Sequence, residues 1–164
     1  MVGAFRFEPF AEQDAVGEDA IVEFWRRETG MPEEVARRRA QELLLVVLDE
    51  DDRPVAVSTA FLHRSEQLHM VLWQVRAIVA AAHRRSDIGI TLAQRVRDLL
   101  RERFDAGDRR GAGVLFEVEN EALKRHMNTA LWHRTDFTFI GETPGGAHVR
   151  IHFFPGVRAP DPPA

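Results

Sequence analysis

The chain has 164 residues, of which 45% are hydrophobic and 29% charged, and its formal net charge is −4 with an isoelectric point of about 6.0. These values are typical of a soluble globular protein, and the acidic balance argues against general affinity for nucleic acid. The absence of cysteine excludes disulfides and thiolate chemistry, and no apolar run approaches the roughly 20 residues of a membrane-spanning helix. We therefore expect a cytoplasmic protein without a signal peptide or membrane association.

The length favours one domain with a sizeable core. We expect residues 1–154 to form that domain. Residues 155–164 are expected to be a disordered tail, because their prolines leave few backbone donors for pairing.

Hydrophobic patterns predict five elements in the first half of the chain. They are a strand at Ala4–Pro9, a helix at Gly17–Thr29, a second helix that begins at Pro32, and a hairpin of two strands, Leu43–Leu48 and Pro54–Leu62. Trp25 lies on the apolar face of the first helix and is expected to be core. The arginine run Arg37–Arg39 is expected to be a solvated helix face, since glutamates four residues earlier can pair with it.

The second half continues with alternating strands and helices. The predicted elements are strands at Val71–Val79, Gly113–Val118, Phe137–Gly141 and Ala147–Phe154, and helices at Ile90–Phe104 and Glu121–His133. A basic turn joins the first of these strands to its helix. A helix start offers unpaired backbone N–H groups and a positive dipole end, which suit a phosphate. Taken alone, the turn is equally well explained as a capped helix with solvated arginines.

Together with its neighbours, this turn resembles the phosphate loop of the GCN5-related N-acetyltransferase (GNAT) family, whose pattern is Val-x-Pro-x-x-Arg-x-x-Gly-x-Gly. Val79, Arg84 and Gly89 stand in register with that pattern, whereas Ala81 replaces the proline and Asp87 the first glycine. The predicted element order is also that of the family. The resemblance implies an α+β (α/β) fold with a central mixed, mostly antiparallel sheet of about seven strands. Helices flank that sheet, which is splayed between the fourth and fifth strands.

The resemblance also implies a binding site for acetyl-CoA. In the family, loop N–H groups bind the pyrophosphate, and the pantetheine arm lies beside the fourth strand like an added strand. The residues so assigned to the cofactor are Ala77, Ile78, Val79, Arg84, Arg85, Ser86, Asp87, Ile88, Gly89 and Ile90. Asp87 is compatible with the loop shape, but its carboxylate would repel a pyrophosphate unless it turned away or capped the helix. Asn120 matches a family asparagine that contacts the arm, and a helix N-cap explains it equally well.

The family's usual acid and base are missing. The chain has no tyrosine, and Trp132 stands where the family's thiolate-protonating tyrosine is expected. An indole is too weak an acid for that role, so Trp132 is expected to pack. His133 and His126 are the nearby replacements, although each is more often a surface residue. Glu119, at the end of the fifth strand, is the candidate base, with an exposed strand-end carboxylate as its simpler explanation. The histidine spacing predicts no metal site.

Two functions follow from the resemblance. The favoured one is an acyl-CoA-dependent N-acyltransferase that transfers acetyl from acetyl-CoA to a primary amine by direct attack in a ternary complex. The alternative is a catalytically degenerate protein of the same fold that binds CoA or acyl-CoA in a regulatory or interaction role. The expected partners are acetyl-CoA and an unidentified amine, with no nucleic acid. Aromatic strand residues would serve a homodimer as readily as a core: Phe137, Phe139, Phe153 and Phe154.

Overall fold

The computed structural model describes residues 4–163 and has an α+β architecture. Its elements in chain order are β1 (Arg6–Pro9), α1 (Glu18–Thr29), α2 (Glu33–Ala40), β2 (Leu43–Leu48), β3 (Pro54–Ser65), β4 (Met70–Val79), α3 (Ile88–Asp105), β5 (Gly113–Val118), α4 (Glu121–His126), β6 (Leu131–Trp132), β7 (Phe137–Glu142) and β8 (His148–Phe153). Short 3-10 turns at Phe10–Glu12 and Ala81–His83 complete the regular structure of the described residues.

The strands form one sheet in the order β1-β2-β3-β4-β5-β8-β7-β6. The β1–β2, β2–β3, β5–β8, β6–β7 and β7–β8 pairs are antiparallel, and β4 and β5 are parallel. A parallel pair needs a crossover connection, which α3 supplies. The predicted mixed, mostly antiparallel sheet with flanking helices is therefore confirmed, with β6 as an additional two-residue strand.

The ladder between β4 and β5 is short. It pairs Trp73 with Val114 and Gln74 with Leu115. By contrast, β5 pairs with β8 over its whole length. A short parallel ladder is what the predicted divergence of these two strands requires.

The chain divides into two compact units. Each unit is made of two stretches of the chain. The first unit consists of the chain up to Ala60 together with Arg76–Val96, and the second consists of Phe61–Val75 together with the chain from Arg97 onward. In the first unit, apolar residues of α1 pack with Val46, Leu48 and Val57 of the sheet. These α1 residues recur at helical spacing, which gives the helix one buried stripe. They are Ile21, Val22, Phe24 and Trp25. Trp25 is 1% exposed, so its predicted core position is confirmed.

The second unit has its own apolar cluster, centred on Leu72, Leu115 and Ile151. Of the four aromatic strand residues considered for a dimer, Phe137 and Phe154 are buried, whereas Phe153 is 43% exposed. Two of these side chains therefore belong to the core. The homodimer stays a prediction.

The predicted helix over Glu121–His133 is wrong in its second half. Helix α4 ends at His126, and Leu131 and Trp132 form β6, which pairs with Thr138 and Phe137 of β7. The physical reason lies outside the segment, because the guanidinium of Arg150 donates to the carbonyls of Met127 and Ala130. Each of these oxygens also has a second donor, the Trp132 indole N–H for Met127 and the Phe139 N–H for Ala130, so neither has a lone pair left for a continuing helix.

The other predicted element boundaries differ from the observed ones by fewer residues. Helix α3 begins at Ile88, two residues earlier than predicted, and β3 continues to Ser65. Residues 155–163 of the predicted tail contain no helix or strand, and its disorder stays a prediction. None of the helices in residues 4–163 combines the length and apolar character needed to cross a bilayer.

Candidate functional site

The turn after β4 lies within the first unit and is held by a dense set of hydrogen bonds. The Ala80 N–H donates to the Val55 carbonyl at 2.8 Å, and the Ser86 N–H donates to the His83 carbonyl at 3.0 Å. The Ser86 hydroxyl donates to the same carbonyl and accepts the Ile88 N–H at 3.3 Å. These bonds shape the chain into a tight turn that leads directly into α3.

Helix α3 begins at the exposed end of this turn. Its first helical bond runs from the Thr91 N–H to the Asp87 carbonyl, at 2.9 Å. The N–H groups of Gly89 and Ile90, the second and third helical residues, therefore have no carbonyl one turn earlier within the helix. They lie at the positive end of an 18-residue helix. A helix start of this kind suits a phosphate, and binding of a phosphate here stays a prediction.

The glycine at position 89 is not required by the protein's own packing. A Cβ there would meet only Val79 Cγ2, at 3.8 Å, which is an ordinary contact. Gly89 is exposed, and its φ is not among the positive values that favour glycine. The missing side chain leaves the space beside Gly89 open except for Val79, and close approach of a phosphate to a helix start needs such space.

Arg84 stabilises the shape of the loop and also gives it positive charge. Its Nε donates to the Val79 carbonyl at 3.2 Å, which ties the turn to the end of β4. The carbonyl of Val79 is therefore already engaged. Arg84 and Arg85 are both exposed, so their charges face the solvent around the helix start. Asp87 is exposed as well.

Sequence reasoning missed Glu28, which anchors the loop from α1. Its Oε2 accepts the Ala81 N–H at 3.0 Å, and its side chain is only 14% exposed. Ala81 stands where the family pattern has proline, which has no N–H to satisfy. The alanine has a backbone N–H that proline lacks, and the Glu28 carboxylate accepts a hydrogen bond from it. No local pattern in α1 indicates this contact, which joins residues 53 positions apart.

The first unit thus brings most of the predicted cofactor residues together. The end of β4 is formed by Ala77, Ile78 and Val79. The residues Arg84–Ile90 follow in the turn after this strand and in the first residues of α3. Ile78 packs against the cluster beneath α1 and α2, whereas Ala77 is exposed.

Glu119 and Asn120 lie in the second unit, directly after β5, and both are exposed. The Asn120 side chain accepts the Leu123 N–H at 3.0 Å, so the interpretation of Asn120 as an N-cap of α4 is confirmed. A contact of Asn120 with a cofactor stays a prediction, as does a catalytic role for Glu119.

His133 does not lie on a helix, as the sequence had suggested. It follows β6, is exposed, and sits in a turn closed by the Asp136 N–H donating to the Trp132 carbonyl at 2.7 Å. The Trp132 indole N–H donates to the Met127 carbonyl at 2.8 Å. The expectation that Trp132 packs is therefore confirmed, and the helical placement of His133 is corrected.

Arg150 is the second residue that sequence reasoning missed. It is 1% exposed, and burial lowers the pKa of its guanidinium. Its two terminal nitrogens donate to the Ala130 and Met127 carbonyls, at 3.2 and 3.1 Å. The only sequence signal was an arginine between two apolar strand residues, Val149 and Ile151. Among residues 4–163, no group of three or more His, Asp or Glu side chains is arranged to hold a metal ion.

Solved acetyltransferase structures share this fold over nearly the whole chain. The putative acetyltransferase yncA of Salmonella typhimurium, solved with its cofactor acetyl-CoA, aligns at a TM-score of 0.63 and 15% identity, covering 96% of this chain and 98% of its own. Arabidopsis thaliana NAA60 in complex with acetyl-CoA aligns at 0.59 and 14% identity, covering 93% and 100%. The GNAT-family YhbS of Escherichia coli in complex with CoA aligns at 0.59 and 17% identity, covering 92% and 81%.

No protein-family model matches the sequence, and no curated protein sequence matches it significantly. The likeness therefore lies in the architecture, and it agrees with the strand order and the parallel β4–β5 pair described above. The chain has the fold of the GCN5-related N-acetyltransferases.

Proposed function

We propose that this protein is an acyl-CoA-dependent N-acetyltransferase that transfers acetyl from acetyl-CoA to a primary amine. The observation that carries the proposal is the start of α3, where a Cβ at Gly89 would meet only Val79, so that packing within the protein gives no reason for a glycine. Arg84 and Arg85 add positive charge beside it. The fold is one whose solved examples include complexes with acetyl-CoA and CoA.

In this proposal the diphosphate of the cofactor binds the N–H groups of Gly89 and Ile90. Hydrogen bonds from N–H groups to an anion are roughly twice as strong as those between neutral groups. Arg84, already oriented by its bond to the Val79 carbonyl, stabilises the loop and the bound charge. Ser86 and Ile88 set the helix start, and the backbone of Ala77, Ile78 and Val79 takes the pantetheine arm.

The chemical step is a direct acyl transfer. The amine nitrogen attacks the thioester carbonyl carbon, the new C–N bond forms, and negative charge develops on the carbonyl oxygen. A backbone N–H of β4 directed at that oxygen would lower the barrier. The C–S bond then breaks, the amine nitrogen loses a proton, and the departing thiolate gains one. The products are an acetamide and CoA thiol.

The proposed proton carriers are Glu119 as the base and His133 as the acid, with Asn120 as a contact to the cofactor. Both carriers are exposed, so each would act through water or on a substrate that approaches from solvent. Loss of one acid–base group typically costs about two to four powers of ten in rate. Transfer without the family's tyrosine is therefore slower, not impossible.

One observation favours a second candidate, a CoA-binding protein without transferase activity. The residue at the tyrosine position, Trp132, has its only polar group engaged by the Met127 carbonyl.

Titration with acetyl-CoA, followed by thiol release with a panel of amines, tests the proposal and separates the two candidates. A ligand at one hundred times its Kd stabilises the folded state by about 2.7 kcal/mol, so binding should raise the melting temperature measurably. We expect saturable binding and amine-dependent thiol release. Binding without release would favour the second candidate. Arg84→Glu should abolish binding, whereas Arg38→Glu on the exposed face of α2 should not. No binding at millimolar acetyl-CoA would contradict both candidates.

A further inference from the structure

Glu117 places an exposed carboxylate on an inner strand of the sheet. It lies on β5, between β4 and β8, and it is exposed although its neighbours Leu115 and Val118 are buried. Across residues 4–163, no hydrogen bond or ion pair engages the Glu117 side chain. The exposure of an unpartnered charge on an inner strand marks a part of this sheet face that is open to a ligand.

The sheet face that carries Glu117 is otherwise uncharged in the second unit. Residues two apart on a strand share a face, and so do directly paired residues of neighbouring strands. Glu117 pairs with Val149, and Leu115 pairs with Gln74 and Ile151. Glu117 is the one charged side chain among the described residues of β4, β5, β7 and β8 on this face of the second unit. The others are Met70, Leu72, Gln74, Gly113, Leu115, Thr138, Ile140, Gly141, Val149, Ile151 and Phe153.

Apolar side chains lie directly beside the carboxylate. Val149, opposite Glu117, and Ile140 are partly buried and pack against the cluster of Leu72, Leu115 and Ile151. The turn between β3 and β4 covers another part of this cluster, because Leu68 packs on it. The open part of the face therefore combines one charge with partly exposed apolar surface.

Gln74 adds a second polar group to this face. It is half-buried, and in the part of the chain that the structure describes no hydrogen bond engages its side-chain amide. Neither polar atom of that amide is fully buried. One strand spacing and two residue rises separate the Cα atoms of Gln74 and Glu117, which amounts to about 8 Å. A single polar group between the two strands is therefore within reach of both side chains.

These groups select a cationic amine. An ammonium has three donors and no acceptor, so it suits the Glu117 carboxylate and the Gln74 carbonyl oxygen together. A ligand carboxylate would be repelled by Glu117, and none of the strand residues named for this face is basic. The apolar side chains beside Glu117 favour an amine with an apolar substituent, because its binding removes their surface from water.

Both polar groups precede residues assigned to the reaction. Strand β4 continues from Gln74 to Ala77–Val79, whose backbone is proposed to take the pantetheine arm. Glu119, the proposed base, follows two residues after Glu117. Because β4 and β5 are parallel, the two strands lead from this polar pair toward the proposed cofactor and base residues in the same direction.

We propose that Glu117 and Gln74 bind the ammonium group of the acyl acceptor, and that the acceptor is a small amine with an apolar substituent and no carboxylate. The ammonium form binds. It then loses one proton to Glu119, the proposed base, and the neutral nitrogen attacks. The assignment of this ligand as the acceptor rests on the proposed function. The amine site itself does not.

Binding is tested first, in the absence of acetyl-CoA. The amines 2-phenylethylamine and hexylamine are titrated into the ¹⁵N-labelled full chain, and the side-chain amide signals of Gln74 are followed by NMR. We expect at least one of them to shift these signals saturably at millimolar concentration or below. The alcohol with the same carbon skeleton, and the α-amino acid with a carboxylate added beside the nitrogen, should each bind at least about tenfold more weakly. No saturable shift with either amine, or equal binding of the alcohol, would show that the inference is wrong.

Matched variants then locate the site. Glu117→Gln removes the charge and keeps the size of the side chain, so it should weaken binding of that amine at least about tenfold. Acetyl-CoA binding and the melting temperature should stay nearly unchanged, because Glu117 is exposed and unpartnered. Glu102→Gln, the same charge change at an exposed position of α3, should bind the amine as the wild type does. Equal affinity in the Glu117→Gln and Glu102→Gln proteins would overturn the assignment.

A gain of affinity tests the site independently of any loss. Gln74→Glu adds a second carboxylate about 8 Å from Glu117, so the amine should bind about threefold more tightly. The α-amino acid, which also carries a negative charge, should gain less than the amine. Weaker amine binding in a folded Gln74→Glu protein would contradict the place given to Gln74.

Thiol release with acetyl-CoA distinguishes failure of the inference from failure of the proposed function. We expect turnover of the amine that binds, and a KM raised at least about tenfold by Glu117→Gln with little change in kcat. Turnover of amines that is indifferent to Glu117→Gln would overturn the inference alone. Amine binding through Glu117 without any thiol release would contradict the proposed function and the acceptor role, while the amine site would stand.

Discussion

The guanidinium of Arg150 lies 3.9 Å from the centroid of the Trp132 ring. This contact joins β8 to the segment after α4, and the same guanidinium donates to two carbonyls of that segment. In the predicted alignment with the GNAT pattern, Trp132 stands in place of the tyrosine. The Trp132 ring is thus held in a cation–π pair with Arg150, which accounts for its half-buried position.

Replacement of Arg150 should destabilise the protein. Arg150→Leu removes the cation–π contact and two hydrogen bonds, one to the Met127 carbonyl and one to the Ala130 carbonyl, and leaves a large apolar side chain in place of a buried donor group. We expect the free energy of unfolding to fall by about 2–4 kcal/mol, measured by urea denaturation. Arg125→Leu, on the exposed face of α4, should change it by less than about 0.5 kcal/mol. A similar effect of both variants would refute a specific role for Arg150.

Glu28 and Ala81 should be energetically coupled. Glu28→Ala removes the acceptor of the Ala81 N–H and should lower the free energy of unfolding by about 1.5–3 kcal/mol, as expected for a hydrogen bond to a charged group. In an Ala81→Pro background there is no N–H to leave unsatisfied, so Glu28→Ala should cost much less there. A double-mutant cycle measures the coupling. A coupling energy near zero would show that this hydrogen bond does not stabilise the loop.

Gly89→Ala should affect stability and cofactor binding in opposite directions. The added methyl meets only Val79 at 3.8 Å, and alanine is the better helix former, so stability should rise by up to about 1 kcal/mol. The same methyl occupies the space proposed for the phosphate, so acetyl-CoA should bind at least about tenfold more weakly. Gly17→Ala, also with open space around it, serves as the binding control. Unchanged affinity in Gly89→Ala would place the cofactor elsewhere.

His152 should make the protein less stable in mild acid. Burial, with a smaller contribution from the Arg97 and Arg101 charges, lowers its pKa below the ordinary value of 6.5, although its bond to the Asp136 carbonyl opposes this. The unfolded chain therefore binds more protons than the folded protein between the two pKa values. Stability from the neutral ring is present above about pH 6.5 and is lost as the pH falls through that window.

The measurement for His152 is urea denaturation between pH 5 and 8. His152→Gln should flatten the decline in stability below about pH 6.5, and the exposed His69→Gln should leave it as in the wild type. An identical pH dependence in wild type and His152→Gln would exclude His152 as its source.

Local pattern and tertiary contact account for what the sequence could and could not predict. Strands β2 and β5 were placed to the residue, because each is a short apolar run between polar turns. The end of α4 was misplaced because it depends on Arg150, which lies more than 20 residues later and breaks the helix through its side chain. The phosphate-loop interpretation rests on three matching residues and stays a prediction, whereas the contact of Glu28 with the loop depends on the fold and had no signal in the local sequence.

The most direct test is a titration of CoA into ¹⁵N-labelled protein, followed through the backbone amide signals. The account predicts saturable shifts of the Gly89 and Ile90 N–H signals. The same shifts should appear with 3′-phosphoadenosine 5′-diphosphate and should be absent with pantetheine alone. Signals of the exposed face of α2, such as Arg38, should not move. Saturable binding that leaves the Gly89 and Ile90 amides unchanged would contradict the claim that the start of α3 holds the diphosphate.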